Sequence, residues 1–248
     1  MTITTPEFDL ETTDRLLTTT RSVRRRLDFD RPVEQSVLDE CLRIGLQAAT
    51  GGDLQRWRWV IVRDAEKRRK LGELYRKSFE AMLASAAPAE EEAAVAEPVG
   101  EPEDEKYHEK FNEDLAAQEK LMKSVDVLIK RMGDVPVIVV PCVIGRADGE
   151  VTTSWVASQF GSVYPAVWNL QLALRSRGLG SCITAAHLEY EREAAELLGI
   201  PYATVMQVCA LPVAYYTGES FREAKRRPQS EVVFIDTFDT ASMEETGW

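Results

Sequence analysis

The sequence has few of the residues on which disulfide-rich and zinc-binding proteins depend. Its 248 residues include two histidines and four cysteines. The cysteines stand far apart, form no C-x-x-C pair and each lie in an apolar stretch, so we expect buried thiols rather than a disulfide framework. They are Cys41, Cys142, Cys182 and Cys209. Without clustered ligands, a metal site is not expected.

Positive charge and long apolar runs are also scarce. The chain carries 30 basic and 41 acidic side chains, a formal net charge of −11. That balance argues against a general nucleic-acid-binding protein, because such proteins neutralise phosphates. No apolar run approaches the roughly 20 residues of a membrane span, and the first twenty residues lack the apolar core of a signal peptide. We therefore expect a cytoplasmic protein with neither nucleic acid nor membrane as a partner.

One segment contains most of the excess negative charge. Residues 85–106 are rich in Ala, Pro and Glu, and residues 90–105 hold eight acidic side chains and no basic one. This composition is typical of a solvated loop. The alternative is a lid or partner-binding segment, in which case Tyr107 and Phe111 are candidate lid contacts.

The hydrophobic pattern predicts interleaved helices and strands. Helices are expected from about Thr12 toward Arg21 and over residues 32–48, 65–84, 107–131, 155–177 and 189–198. Strands are expected over residues 57–62, 135–144, 181–184, 204–215 and 232–235. Pro141 predicts an edge strand or a bulge, and Pro165 predicts a kink or an irregular first part of its helix. The class is therefore α/β or α+β, with a sheet covered by helices.

Four segments could bind a ligand. Residues 20–26 (TRSVRRR) combine four arginines with a serine, donors suited to a phosphate, although a basic helix end looks the same. Residues 49–57 (ATGGDLQRW) contain two glycines that would let a planar ligand approach the backbone, or would simply end a helix. Residues 178–187 (GLGSCITAAH) lack the last glycine of G-x-G-x-x-G, which disfavours a Rossmann site. The fourth segment is the basic run at residues 225–228 (KRRP), either a second phosphate clamp or solvated surface.

In this order, these segments resemble the motifs of the FMN-dependent nitroreductase family, nearest to an actinobacterial-type branch. The matching segments are TRSVR (20–24), DFDRP (28–32), AATGGDLQRW (48–57), NLQLAL (169–174), GLG (178–180) and KRRP (225–228). The resemblance covers about residues 12–65 and 133–236. It implies an α+β, nitroreductase-like fold in which helices flank a central mixed, mainly antiparallel sheet, in an intertwined homodimer. We predict a single domain over residues 1–248, with the acidic insert at 85–106 and a helical excursion to about 131.

The resemblance also implies a flavin site. Arg21 and Ser22 would hold the FMN phosphate, with Arg226 as a late phosphate ligand, and Arg24 would face flavin N1 and O2. The backbone of residues 184–186 would lie beside the ring near N5, and residues 49–51 would line it from the partner subunit. The complete expected set is Arg21, Ser22, Val23, Arg24, Ala49, Thr50, Gly51, Asp53, Thr184, Ala185, Ala186 and Arg226.

Several positions depart from the family pattern. Ala49-Thr50 replaces a Pro-Ser pair, which loosens the loop but keeps the hydroxyl. Thr20 replaces an arginine, for which Arg25, Arg26 or Lys225 would compensate, and Arg56 replaces a proline. Asp53 stands where the family has an asparagine. A carboxylate accepts from flavin N3–H but donates no hydrogen bond, and its charge would lower the flavin potential.

The implied function is that of an oxidoreductase that uses FMN. It would take hydride from NAD(P)H and reduce a nitroaromatic, a quinone or a similar acceptor by a ping-pong mechanism. Because the flavin carries the chemistry, we expect no catalytic side chain, and His187 is either a substrate contact or a core residue. The alternative is a flavin-binding storage or regulatory protein with little turnover. Reductive dehalogenation and a phosphate-ligand module unrelated to flavin also remain open.

Overall fold

The computed structural model describes residues 7–93, 122–219 and 221–238. The chain divides into two compact units. The larger unit, residues 20–219, contains the sheet, and the smaller unit contains the segments before and after it. None of the helices in the described residues is both long and apolar enough to span a membrane.

The described residues form helices of very different length. They are α1 (Leu10–Thr19), α2 (Gln35–Gly45), α3 (Ala65–Ala93), α4 (122–131), α5 (Thr153–Ser176), α6 (Glu191–Leu198) and α7 (Gln229–Val232). Short 3₁₀ helices occupy Gly51–Asp53, Met132–Asp134 and Ala186–Tyr190. Helices α1 and α7 belong to the smaller unit, and the others to the larger.

The sheet has five strands, and its central strand is β2. The strands are β1 (Trp57–Val62), β2 (Val137–Ile144), β3 (Leu179–Ser181), β4 (Val205–Gln207) and β5 (Leu211–Tyr215). Their order is β1-β2-β5-β3, and β4 pairs with the far end of β2. All pairings between these strands are antiparallel, and two isolated bridges, Ser22–Ser181 and Gly145–Val205, are parallel. The predicted fold class is confirmed.

Pro141 lies at a bulge in the middle of the sheet, so the bulge is the predicted alternative that forms. Between the pairs Val139–Leu211 and Cys142–Gln207, residues 208–210 of the opposite segment face only residues 140–141. It pairs with Trp59 of β1, and its carbonyl oxygen accepts from the Val208 N–H at 2.9 Å. The nitrogen and oxygen of a strand residue point to the same side, so the N–H that proline lacks would also face this side. Here β2 changes partner from β5, at Val139, to β4, at Cys142. The missing donor therefore falls at a break in the ladder.

The core lies between the sheet and α5. One face of α5 buries eight residues, among them Val163, Ala166 and Leu170, and α2 packs against the same helix. A Cβ on Gly45 of α2 would lie 3.1 Å from the Leu170 Cβ. Burying one Leu or Val side chain contributes about 1.5–3 kcal/mol, so α5 is the main apolar support of the sheet.

Most predicted helices form, with shifted ends. The helix predicted over residues 32–48 is shorter, since the residue before Gln35 is extended and the chain turns after Gly45. Helix α3 continues to Ala93, so the first part of the segment predicted as an acidic loop is helical, as its Ala and Glu content favours. Helix α5 is continuous through Pro165. The rest of the acidic segment, with Tyr107 and Phe111, lies outside the described residues.

Three strand predictions differ from the structure: β3 spans Leu179–Ser181 instead of residues 181–184, residues 204–215 are divided, and residues 232–235 form no strand. Strand β1 has the predicted bounds, but residues 204–215 form two strands because β4 and β5 pair with opposite ends of β2. No strand forms over residues 232–235 of the described C-terminal segment, where α7 ends at Val232. The side chain of Ile235 is 83% exposed. An apolar run without a neighbouring strand lacks the pairing that a strand needs.

Candidate functional site

The basic segment after α1 runs along the edge of the sheet. The Val23 N–H donates to the Ser181 carbonyl oxygen at 2.9 Å, and the Asp28 N–H donates to the Tyr215 carbonyl oxygen at 2.7 Å. Val23 is buried, whereas Ser22 is exposed and Arg24 half-buried. Alternate residues of an extended segment face opposite sides. The segment therefore inserts Val23 into the core and leaves its neighbours available to a ligand.

Gly180 lets this segment approach the sheet. A Cβ at this position would lie 2.8 Å from the Val23 Cβ, a separation that side chains do not tolerate. Behind it, the buried Gln171 amide donates to the Ser181 hydroxyl at 3.1 Å. The G-L-G motif thus allows the basic segment to pack closely against β3.

Arg24, half-buried in the basic segment, borders the buried residues Tyr75 and Cys182. Its guanidinium contacts the thiol of Cys182, and the hydroxyl of Tyr75, on α3, contacts Thr184. Burial raises the pKa of Tyr75, although the Thr184 contact and the charge of Arg24 oppose the shift. The fold therefore brings together Arg24 and Thr184, two predicted site residues 160 positions apart. The sequence pattern did not single out Tyr75, since its helical spacing is that of an ordinary core residue.

Residues 184–186 lead from a short backbone pairing with Ala210 into a 3₁₀ helix. Thr184 and Ala210 exchange backbone hydrogen bonds of 3.0 and 2.8 Å. In the 3₁₀ helix that follows, the Leu188 N–H is the first to donate, to the Ala185 carbonyl oxygen at 2.9 Å. The amides of Ala185 and Ala186 precede that bond, so they lie outside the hydrogen bonding of the helix. Small side chains beside amides that make no backbone hydrogen bond within the described residues suit the edge of a flat ring that carries acceptor atoms.

The glycine-containing loop packs on α5. Three positive φ angles bend it, 60° at Gly52, 52° at Asp53 and 46° at Gln55. The Gly51 N–H donates to the Ser162 hydroxyl at 3.0 Å. The exposed Asp53 carboxylate accepts from the Gln55 amide at 2.9 Å. The predicted residues Ala49, Thr50, Gly51 and Asp53 are all at least partly exposed.

The remaining basic residues have different surroundings. Arg26 donates to the Thr217 carbonyl oxygen at 2.6 Å and also to that of Glu219. It therefore ties the segment to the end of β5, which leaves it unsuited to replace the arginine missing at Thr20. Arg226 is exposed, in the segment before α7 and in the smaller unit. Its assignment to the phosphate stays a prediction.

His187 is fully buried, which favours the core role over a substrate contact. Burial lowers its pKa to about 4, although the neighbouring Glu191 and Gln207 oppose the shift. Neither ring nitrogen makes a hydrogen bond of normal geometry within the described residues. The imidazole is therefore neutral at physiological pH.

A polar network beside His187 was not predicted. The Arg146 guanidinium bonds Asp148 and Glu191, both at 2.7 Å. Glu191 accepts from the Gln207 N–H at 2.9 Å, and the Gln207 amide donates to the Glu191 carbonyl oxygen at 2.9 Å. The carboxylates raise the pKa of Arg146 still further. Because the partners are as much as 61 positions apart, sequence spacing held no signal for this network.

Two cavities flank the 3₁₀ helix Ala186–Tyr190. One, of about 460 Å³, is lined by residues of α3 together with Ala186, Glu189 and Tyr190. The other, of about 560 Å³, lies between α5, α6 and the end of β2 and is lined in part by Ala185 and Glu189. Both volumes are typical of small-molecule sites.

The four cysteines are buried and unpaired, as predicted. Burial raises the pKa of Cys182 to about 11 and of Cys142 and Cys209 to about 12, so they are not thiolate nucleophiles. Across the described ranges, no group of three or more His, Cys, Asp or Glu side chains could hold a metal ion.

Solved structures with this fold include several flavoproteins and nitroreductases. Nitroreductase A from Vibrio parahaemolyticus is 17% identical with a TM-score of 0.62, over 95% of this chain and 81% of that one. An iodotyrosine deiodinase bound to FMN and 3-iodo-L-tyrosine is 19% identical with a TM-score of 0.60, over 91% and 97%. A putative NADH dehydrogenase/NAD(P)H nitroreductase from Parabacteroides distasonis is 19% identical with a TM-score of 0.57, over 92% and 99%. At these levels of sequence identity, the structural similarity shows that this chain shares their fold.

The comparison with family sequence profiles extends the likeness from fold to family. A search of curated protein sequences finds no match. The profile of the nitroreductase family, however, matches residues 17–215, which include the basic segment, the glycine-containing loop and the 3₁₀ helix. Since this match spans well over half of the chain, the protein belongs to the nitroreductase family.

Proposed function

We propose that the protein is an FMN-dependent oxidoreductase that takes hydride from NAD(P)H and reduces a small electron acceptor, such as a nitroaromatic or a quinone, by a ping-pong mechanism. The observation that carries this proposal is the meeting of the basic segment with residues 184–186. The contacts of Arg24 with Cys182 and of Tyr75 with Thr184 join the residues expected at the pyrimidine edge to those expected beside N5.

The donors present fit a flavin mononucleotide. Arg21 and Ser22 offer a guanidinium and a hydroxyl on adjacent residues, which suits a phosphate. Arg24 provides a half-buried cation where a reduced flavin carries negative charge. The amides of Ala185 and Ala186 provide donors for acceptor atoms of the ring.

FMN, when bound, would supply the hydride and electron-transfer chemistry. The chain would position the ring through residues 184–186, hold the phosphate through Arg21 and Ser22, and balance charge through Arg24. We assign no acid or base to a protein side chain. His187 is buried and neutral, so the proton for a reduced product would come from water.

We also propose a homodimer in which the loop at residues 49–53 completes the partner's flavin site. Its support is the exposed face of α5, on which that loop packs. Ala157, Gly161, Pro165 and Trp168 are exposed along one side of this helix, and Trp168 is 41% exposed. Light scattering at micromolar concentration tests this, with a mass of twice 27.9 kDa expected.

The test of function is an absorption spectrum of the purified protein, followed by anaerobic addition of NADPH and then NADH. Bands near ~375 and ~450 nm and their prompt bleaching are expected of an FMN enzyme. A flavin that binds but does not bleach with either donor would favour the storage or regulatory alternative, which the carboxylate of Asp53 keeps open. A protein that takes up no FMN would contradict both.

A further inference from the structure

The cavity on the Ala185 side of the 3₁₀ helix has aromatic walls. The rings of Phe160 and Tyr164, on α5, stack with their centroids 5.9 Å apart and 25° between their planes. Tyr202 adds a third ring, over which the Arg146 and Arg192 guanidinium groups lie, and the rest of the wall combines six apolar residues with charged and polar ones. Planar ligands of one or two rings fit a volume of about 560 Å³. Because Ala185 lines this cavity, a bound molecule would lie beside the proposed flavin site.

The charges around the cavity are mostly negative. Four carboxylates and two guanidinium groups line it, those of Asp148, Glu189, Glu191, Glu193, Arg146 and Arg192. Arg146 is occupied by two of the carboxylates, and Arg192 stacks over the Tyr202 ring at 4.4 Å. Glu189 and Glu193 are exposed and form no ion pair among the described residues. The lining therefore has a net negative charge.

Gln207 supports the same wall from within the core. Gln207 lines the cavity and is only 2% exposed. Its amide nitrogen is bonded to the Glu191 carbonyl oxygen, but its side-chain oxygen makes no hydrogen bond of normal geometry within the described residues. The oxygen is itself buried and neighbours the His187 imidazole, so it lies behind the wall and out of reach of a molecule in the cavity.

We propose that this cavity binds the electron acceptor and selects an aromatic ring that bears a positive charge. The Phe160 and Tyr164 rings attract cations, and the exposed rim carboxylates attract the same sign. An anionic aromatic of the same size meets repulsion from Glu189 and Glu193. This inference rests on the proposed function, because the acceptor must lie beside the flavin.

A matched pair of nitrobenzenes gives the first test. With (4-nitrobenzyl)trimethylammonium as the probe, ArNO2 + NAD(P)H + H⁺ gives ArNO + NAD(P)⁺ + H2O, so two electrons and two protons convert the nitro group to a nitroso group and water. At low ionic strength we expect kcat/KM for this cation to exceed that for 4-nitrobenzoate about tenfold, since exposed charges each contribute modestly. The preference should decline as salt screens the rim. An equal or reversed preference would overturn the inference.

Matched variants locate the effect. Glu193→Gln and Glu189→Gln should each lower the cation-to-anion ratio of kcat/KM about two- to fivefold. Glu196→Gln removes the same charge from α6 at an exposed residue that does not line the cavity and should leave the ratio unchanged. If all three variants behave alike, the selectivity does not arise in this cavity and the inference fails.

Binding without turnover separates this inference from the proposed function. Calorimetry of the flavin-loaded protein with benzyltrimethylammonium and with benzoate should show tighter binding of the cation, weakened in Glu193→Gln. If the protein binds the cation more tightly but its flavin does not bleach, the cavity assignment stands and the proposed enzymatic function is refuted. If the flavin bleaches but the protein shows no charge preference, the proposed enzymatic function stands and the cavity assignment is refuted.

Discussion

The backbone N–H of Val23 donates to the carbonyl oxygen of Ser181 at 2.9 Å. This bond joins a segment near the start of the chain to the end of β3, which leads into residues 184–186. It places two of the proposed cofactor-binding segments on one edge of the sheet, and the lack of a Cβ at Gly180 makes the approach possible. The proposed flavin site depends on this junction.

Replacement of Gly180 by alanine should disturb the junction. The new Cβ would lie 2.8 Å from that of Val23, so the basic segment must shift. We expect overpacking to cost about 1–3 kcal/mol of the free energy of unfolding and FMN affinity to fall about tenfold. Thermal melts and fluorescence titration with FMN measure the two effects. Gly149→Ala, where a Cβ meets nothing within 4 Å, is the control, and equal behaviour of the two variants would contradict the account.

The Arg146–Glu191 pair should contribute more to stability than an exposed pair. Its side chains are 16% and 13% exposed, and Glu191→Gln would leave a largely buried guanidinium short of one anionic partner. We expect the free energy of unfolding in urea to fall by about 2–4 kcal/mol. Glu40→Gln, which breaks the more exposed pair with Arg177, should cost under about 1 kcal/mol. Similar losses would show that burial does not strengthen the pair.

His187 should make stability depend on pH between about 6.5 and 4. Its pKa falls to about 4 in the folded protein, so the unfolded chain binds a proton first as the pH is lowered. The stabilisation is complete above pH 6.5 and is lost as the pH falls toward 4, by about 3 kcal/mol in total. His187→Gln should remove that part of the pH dependence. With two histidines in the chain, proton NMR titration measures the pKa directly, and a value near 6.5 would contradict the burial.

Asp53 should lower the potential of a bound flavin. Asp53→Asn removes one negative charge and keeps a side chain that tolerates the positive φ of 52°. We expect the midpoint potential to rise by about 10–20 mV, the two-electron equivalent of roughly 0.5–1 kcal/mol. Potentiometry of the flavin-loaded variant measures this change, with Asp39→Asn on α2 as the control. An unchanged or lowered potential would refute the role of Asp53.

The sequence predicts the fold well where local pattern decides it. The β-branched and aromatic content of residues 57–62 predicts β1 to the residue. Pro141 predicts an edge strand or a bulge, and the structure has the bulge, but the choice between the two is set by tertiary pairing. Val232 and Ile235 have the β-branched side chains typical of strands, but no strand among the described residues pairs with them. Local propensity does not reveal whether a partner strand is available.

The sequence motifs of the site are predictable, but the residues that pack against them are not. Arg24 and Thr184 were expected at one flavin, and the fold brings them together. Tyr75 and Cys182, which contact them, carry no sequence signal beyond that of core residues. The Arg146–Glu191–Gln207 network joins three distant parts of the chain, so no spacing rule would have found it.

The measurement that tests the central claim most directly is the FMN affinity of Arg21→Ala against that of Arg25→Ala. Both variants remove one arginine from the same basic segment, but only Arg21 is proposed to bind the phosphate. A hydrogen bond to a charged group contributes about 1.5–3 kcal/mol, so Arg21→Ala should weaken FMN binding about 10- to 100-fold. Arg25→Ala should weaken it less than about threefold, as expected for an exposed charge. Equal losses in the two variants, or none in either, would contradict the proposed flavin site.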